Sequence, residues 1–292
     1  MQRETISGTA LVTIGAVMIS FAAVFVKLAH VGPTTAAFYR MAIAGCILAV
    51  PVIAGRHRAW SGSRAVLVAG AAGVLFALDL VVWHRSIHFV GPGLATILAN
   101  FQVFILAGFG IIVLRERVSW RLAVAIPMAL AGLFLLVGVD WSIVSRSYRV
   151  GVIFGLVTAV VYGSLLLVLR WSRSIEPRLD LVPNLMVVCL VAAVLLVPVA
   201  FAQGEGLGIP DSETVALLVG YALTAQVVGW LFITRGLPRV QAGRAGLLLL
   251  LQPSLAFIWD IVLFRRPTSG LDVAGAVLAL GAIYLGTAPR AR

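Results

Sequence analysis

Apolar residues run through the chain in blocks of about twenty, separated by short clusters of charged, Pro, Gly and polar residues. Cutting at those clusters leaves ten blocks, near 8–29, 34–54, 64–84, 92–114, 119–138, 150–170, 181–202, 214–234, 244–264 and 270–288. A helix needs roughly 20 apolar residues to cross the hydrocarbon of a bilayer. It also satisfies its backbone hydrogen bonds within one segment, which lipid requires. The pattern therefore predicts an all-α integral membrane protein with ten transmembrane helices. Helix-start signals agree: Ser269 and Asp272 have capping-box spacing, Ser119 follows the Arg115-Glu116-Arg117 turn, and Pro33-Thr34 opens the second block. Trp60, Trp120, Trp141 and Trp171 fall at block ends, where an aromatic belt meets the interfaces.

Composition narrows the function. Of 292 residues, 61% are hydrophobic and 11% charged, against about a quarter charged in a soluble domain. No hydrophilic stretch is long enough for a soluble domain, which excludes a soluble enzyme, a disordered scaffold and a secreted disulfide module. The net charge of +11 does not indicate a nucleic-acid partner, because the basic residues punctuate apolar blocks instead of forming one face. Their expected anionic partner is the surface of the lipid bilayer. Assigning each to its nearest loop puts 15 on the side of the N-terminus and six on the other, with Arg40 inside a span. The positive-inside rule then predicts a multi-pass protein of the cell inner membrane with both termini cytoplasmic. The segment 203–213, with Glu205, Asp211 and Glu213 and no Lys or Arg, suits the outer face. The first block follows Arg3 and exceeds a signal-peptide core, so it reads as a retained helix.

The chain also repeats itself. An offset of 150 residues aligns Gly93 with Gly243, Gln102 with Gln252, Arg115 with Arg265 and Ser119 with Ser269, while 147 aligns Pro51 with Pro198 and Trp83 with Trp230. The halves are 1–144 and 145–292. Five spans per half is an odd number, so the halves are expected to be inverted, a transporter construction with its site near the midplane.

Ala37-Phe38-Tyr39-Arg40, Leu114-Arg115-Glu116-Arg117-Val118-Ser119 and the run Ala131-Gly132 to Val137-Gly138, echoed by Gln252-Pro253 and by Arg265-Arg266-Pro267-Thr268-Ser269, resemble the EamA-type branch of the drug/metabolite transporter superfamily. The resemblance spans essentially the whole chain. It implies ten helices in two inverted five-helix repeats, cytoplasmic termini and export of small metabolites, commonly amino acids. Arg266 stands where the first half has Glu116, and Val103 where the second has Pro253.

Polar residues deep in a span need a partner, a cavity or a packed interface. Ser20, Gln102, Tyr162, Ser164, Gln226 and Gln252 fall near mid-depth and form the expected substrate-binding set, with Trp83 and Asp79 farther out. Gln102 and Gln252 lead it, because repeat-related amides could hold a zwitterion from both sides. The alternative for each is a helix-to-helix hydrogen bond. Arg40, Asp79 and Asp260 all lie in the outer half of their spans. They are expected either to pair or to act in proton exchange or on a substrate ammonium. The aromatic residues Phe76, Trp83, Tyr162, Trp230 and Trp259 could border the same cavity, or simply pack. His84 and His88 have i, i+4 spacing but no accompanying Glu, and Cys46 and Cys189 lie inside apolar blocks, so no metal is expected. With no phosphate loop and no catalytic motif, neither an enzyme nor a cofactor is expected, and gradients must supply the energy. The leading expectation is a secondary transporter exporting amino acids or similar small metabolites by alternating access, as a uniporter or a proton antiporter. A drug or nucleoside-like efflux carrier is the rival within transport, and an intramembrane enzyme or passive channel the rival outside it.

Overall fold

A computed structural model describes residues 6–57, 63–137, 146–175, 180–265 and 268–287, with the side chains of 91–94, 136–137, 173–175 and 260 outside the description. Trp60, Trp141, Arg266, Pro267 and the junction near 144 therefore lie outside the described residues. Ten apolar helices follow in order: α1 Gly8–Leu28, α2 Pro33–Ile53, α3 Ser63–Val90, α4 Ala95–Ile112, α5 Trp120–Leu135, α6 Arg146–Ser172, α7 Leu181–Ala202, α8 Ser212–Arg239, α9 Ala242–Phe264 and α10 Gly270–Thr287. All but the shorter α5 have the length and apolarity to cross a membrane. Among the described residues no strand occurs. The capping box is present, with the Ser269 amide donating to Asp272 Oδ2 at 2.7 Å and the Asp272 amide to Ser269 Oγ at 3.3 Å.

One expected boundary moves. The pattern ends the third block at residue 84, yet the backbone stays helical from Ser63 to Asn100. Residues 85–90 remain helical because they pack: Ser86 is buried and donates to the Gly151 carbonyl of α6 at 2.8 Å. The run is nevertheless not straight. A Cβ placed on Gly155 would stand 2.6 Å from Leu98 and 3.0 Å from Ser86, whereas twelve residues of straight helix would hold those two about 18 Å apart. The chain reverses between them, and one helical run supplies both α3 and α4.

Contacts between the halves establish the inversion. The start of α2 meets the segment after α7, where Glu205 accepts from the amides of Thr34 and Thr35, and the end of α2 meets the start of α7, where His57 Nδ1 lies 2.5 Å from Asp180 Oδ2. Repeat-related α2 and α7 are thus antiparallel. The same holds for α4 and α9, in which Val103 packs on Gly246 and Gly110 on Ala242, and for α5 and α10, in which Gly132 meets Ala279 and Ala125 meets Gly286. A Cβ on Gly132 would stand 2.6 Å from the Ala279 nitrogen, so the missing side chain is what lets these backbones touch. Backbone conformation repeats too. Among the described residues the only non-glycines with positive φ are Arg115 and Arg265, both at 52°, and the only such glycines are Gly55 at 69° and Gly204 at 75°. Each pair is related by the repeat and ends equivalent helices. Left-handed backbone closes α2 and α7 at glycine, which adopts it without strain.

Candidate functional site

Four spans are irregular at mid-depth. α1 breaks at Phe21 between Gly8–Ser20 and Ala22–Leu28, α4 at Phe101 and α9 at Leu250, while α8 winds as a π-helix over Ala222–Gly229. Broken helices in a membrane are tolerated where protein or a cavity takes up the freed backbone groups. The wider π turn changes which residues face inward, and such turns recur at functional positions. Here it carries Gln226.

Around that turn the structure gathers a buried polar cluster. Arg40 of α2 donates from Nε to Gln226 Oε1 at 2.7 Å and from Nη1 to the Tyr221 hydroxyl at 3.0 Å. Its guanidinium carbon lies 5.0 Å from the Tyr221 ring centre and 5.6 Å from that of Phe76, close enough for cation–π attraction. Gln226 in turn points its amide nitrogen at Cys189 Sγ, 3.5 Å away. Phe76 tilts against Trp230 at 4.9 Å, and Trp230 meets Tyr162 edge-on at 6.5 Å. Gln252 lies beside the Tyr162 hydroxyl. Asp79, three residues after Phe76, faces the same side of α3. Arg40, Asp79 and Tyr162 are near enough to feel one another's charge.

Three buried polar atoms of this cluster have no well-formed hydrogen-bond partner: Asp79 Oδ1, Trp230 Nε1 and Gln252 Nε2. Arg40 commits two of its five N–H groups in these bonds, and among the described residues no carboxylate lies within ion-pair distance of it. The expected direct pair with Asp79 is therefore absent, and Gln226 and Tyr221 take the guanidinium instead. Asp260, the other expected partner, has its side chain outside the described residues.

The expected set divides. Gln226, Tyr162, Gln252, Asp79 and Arg40 come together, joined by Phe76, Trp230 and Tyr221. Tyr221 was not anticipated, and its one sequence signal is its place five residues before Gln226. Gln102 stands apart, fully buried, with Nε2 donating to the Gly246 carbonyl at 3.2 Å. The break at Leu250 explains this. The Leu250 amide bonds to Leu247 at 3.1 Å, not to Gly246 one residue earlier, which leaves the Gly246 carbonyl for Gln102. In the first half Asn100 donates to the equivalent carbonyl of Thr96 at 2.7 Å, so Gln252 is released from that duty. Ser20 accepts from Trp259 Nε1 at 2.8 Å, and Phe21 stacks on that indole at 4.6 Å. Ser164 bonds back to its own helix at Val160. Trp83 touches the ring of His84, and His84 meets the Thr34 hydroxyl at 3.2 Å. Among the described residues no His, Cys, Asp and Glu form a metal-holding group of three.

Each end of the molecule is tied across the repeats. At one end the Thr34 hydroxyl donates to Gln203 at 2.6 Å, Glu205 caps α2, and the Tyr39 hydroxyl donates to the Leu207 carbonyl at 2.5 Å. Arg40 lies six residues beyond Thr34, about 9 Å along the helix. Hydrogen bonds from the Thr214 amide and then His30 hold the exposed Asp211 carboxyl below its ordinary pKa at this end. At the other end Glu116 accepts from the Ala242 amide at 2.8 Å and from Arg170 at 3.1 Å, while Arg170 also donates to the Val240 carbonyl at 2.6 Å. The polar centre thus lies between two sets of side-chain contacts that join the repeats.

Comparison with known proteins identifies the family. An uncharacterized transporter of Archaeoglobus fulgidus is 23% identical over 275 residues, covering 91% of this chain and 93% of its own. A crystal structure superposes with a TM-score of 0.82 at 17% identity over 96% of both chains, a likeness of fold alone. The EamA-like transporter family matches residues 6–138 and again 149–287, once per half. On that double match the chain belongs to the EamA-like transporter family, part of the drug/metabolite transporter superfamily, and is a membrane transporter of small substrates.

Proposed function

We propose that the chain exports amino acids or closely similar zwitterionic metabolites by alternating access. The observation that carries this reading is the pairing of a guanidinium with spare donors and a carboxylate with an unpartnered oxygen in one aromatic-lined centre. A substrate carboxylate would take the free N–H groups of Arg40, and its ammonium would take Asp79 Oδ1. Phe76, Tyr162 and Trp230 would face the apolar side chain, and Gln252 would supply the remaining amide. Both charges of a zwitterion are then met, whereas a cationic drug would leave Arg40 unanswered and a nucleoside would leave both charges unanswered. Antiparallel repeats tied at either end by Glu205 and Glu116 support alternating access, since each tie can open while the other holds.

The test is uptake into proteoliposomes against a panel of labelled amino acids, purines and cationic drugs. Saturable transport of amino acids is expected. Gln252→Ala should raise the half-saturation about twofold to tenfold, the worth of one hydrogen bond, while Gln102→Ala should leave it unchanged and lower stability. Non-saturating flux, or transport confined to drugs or purines, would sink the reading.

On this reading both termini are cytoplasmic, a placement supported by the 15-to-six division of basic residues. In a chain with Cys46 and Cys189 replaced, a cysteine at the exposed Gly208 should react with an impermeant reagent on intact cells, and one at Arg56 only after lysis. Labelling of both positions on intact cells contradicts the inverted topology.

A further inference from the structure

The Arg-rich end of the molecule carries a second site, separate from the central cluster. A cavity of about 500 Å³ opens there, lined by Arg117, Ser119, Gln241 and Arg244. Arg117 sits in the turn between α4 and α5, and Arg244 in the first turn of α9. Among the described residues neither guanidinium has a carboxylate partner, and the buried Arg244 Nε has no acceptor. The one acid in this turn, Glu116, is already held by Arg170 and the Ala242 amide, so it does not neutralise the pair. Two uncompensated positive charges beside a cavity create a demand for an anion.

The surroundings indicate which anion. Next to the cavity the end of α4 and the following turn expose Ile111, Ile112, Val113, Leu114 and Val118. Trp120 is 68% exposed with the Arg121 guanidinium 5.9 Å from its ring centre. This is an interfacial arrangement, with a charged recess at headgroup level and exposed apolar side chains at the adjoining helix end. The fold itself does not require the charge. At the repeat-related positions, Arg117 is answered by Pro267 and Arg244 by Leu94, so the basic recess belongs to one end of the molecule only.

We propose that this recess binds the phosphate of an anionic phospholipid, with Arg117 and Arg244 on the phosphate oxygens, Ser119 and Gln241 at the headgroup, and the acyl chains against the exposed apolar side chains of the adjoining helix end. The site lies between the α4–α5 turn and the start of α9, which Glu116 ties together, so a bound lipid would reinforce that tie.

The experiment uses the full-length protein in detergent, with lipid retention measured by native mass spectrometry and thermal stability in parallel. Phosphatidylglycerol, phosphatidylcholine and inorganic phosphate are the three probes. Phosphatidylglycerol should be retained in preference to phosphatidylcholine and raise the melting temperature, and high salt should weaken the preference. Arg117→Gln and Arg244→Gln should each lower it about fivefold, and together about 30-fold. Arg235→Gln, an exposed arginine outside the cavity, should leave it unchanged. The wild-type comparison needs no variant, so poor folding of the double variant would not shield the proposal. Equal retention of the two lipids overturns it, as does undiminished preference in the double variant. A melting shift with inorganic phosphate equal to that with phosphatidylglycerol also overturns it, because the recess would then serve a soluble anion. None of these readouts depends on transport, so the outcome is independent of the substrate reading.

Discussion

Arg40→Ala is expected to abolish transport and to reduce the folded protein in the membrane. Truncation strands Gln226 Oε1 and the Tyr221 hydroxyl, both now satisfied by the guanidinium, and removes the positive neighbour of Asp79. Breaking one side of a buried charged arrangement costs about 3–5 kcal/mol, a large part of the 5–15 kcal/mol by which a folded domain is commonly stable. Loss of protein alone would not identify a substrate role, so the informative variant is Arg40→Lys. Lysine keeps the charge at that depth but replaces the flat five-donor fork with a single ammonium, which cannot reach Gln226, Tyr221 and a carboxylate together. The lysine variant should therefore fold and reach the membrane, yet raise the half-saturation about tenfold to 150-fold, the worth of a charge-assisted hydrogen bond. Purified Arg40→Lys protein with wild-type melting and unchanged half-saturation would show that the guanidinium is structural and move substrate recognition elsewhere.

The glutamines show where sequence reasoning reaches and where it stops. Sliding the chain on itself finds Gln102 and Gln252, and the same offset links Arg115 with Arg265, which the structure gives the same φ of 52°. Ten apolar blocks likewise become ten helices, because hydrocarbon thickness and backbone self-satisfaction leave little freedom in length or type. What a repeat cannot specify is which way equivalent side chains turn. That depends on a local difference: Asn100 donates its side-chain amide to the Thr96 carbonyl of its own helix, while its counterpart, Leu250, has no side-chain donor to offer Gly246. Gln102 crosses to α9 to answer the Gly246 carbonyl, and Gln252 stays at the centre. The difference is present in the sequence as Asn against Leu, but reading it requires knowing that both helices break there. The same applies to α8, where ordinary 3.6-residue periodicity gives no sign that Ala222–Gly229 winds as a π-helix and turns Gln226 toward Arg40. Arg40 was legible as costly and in need of partners, but its partners were not, because a neutral amide and a phenol carry no charge signal across more than 180 residues.

Asp79→Asn should separate stability from transport in the opposite sense to Arg40→Ala. One carboxylate oxygen is buried without a donor, and an unsatisfied buried group costs about 1–3 kcal/mol, more when charged. Asparagine keeps the shape, removes the charge and brings an NH₂ that can find an acceptor. The variant should therefore melt at or above the wild-type temperature, the pattern expected where a strained group is kept for function. Transport should fall steeply, because the ammonium of a zwitterion loses its only anionic partner in the described cluster. A charge-assisted contact of about 1.5–3 kcal/mol corresponds to about tenfold to 150-fold in affinity. Kinetics distinguish the two roles open to this carboxylate. A raised half-saturation, with an imposed pH gradient still acting as in wild type, makes Asp79 the ammonium partner. An unchanged half-saturation with the pH-gradient response gone makes it the proton carrier of an antiporter. Equal melting, half-saturation and pH response in variant and wild type would remove Asp79 from the site, leaving Arg40 to serve a purely anionic substrate.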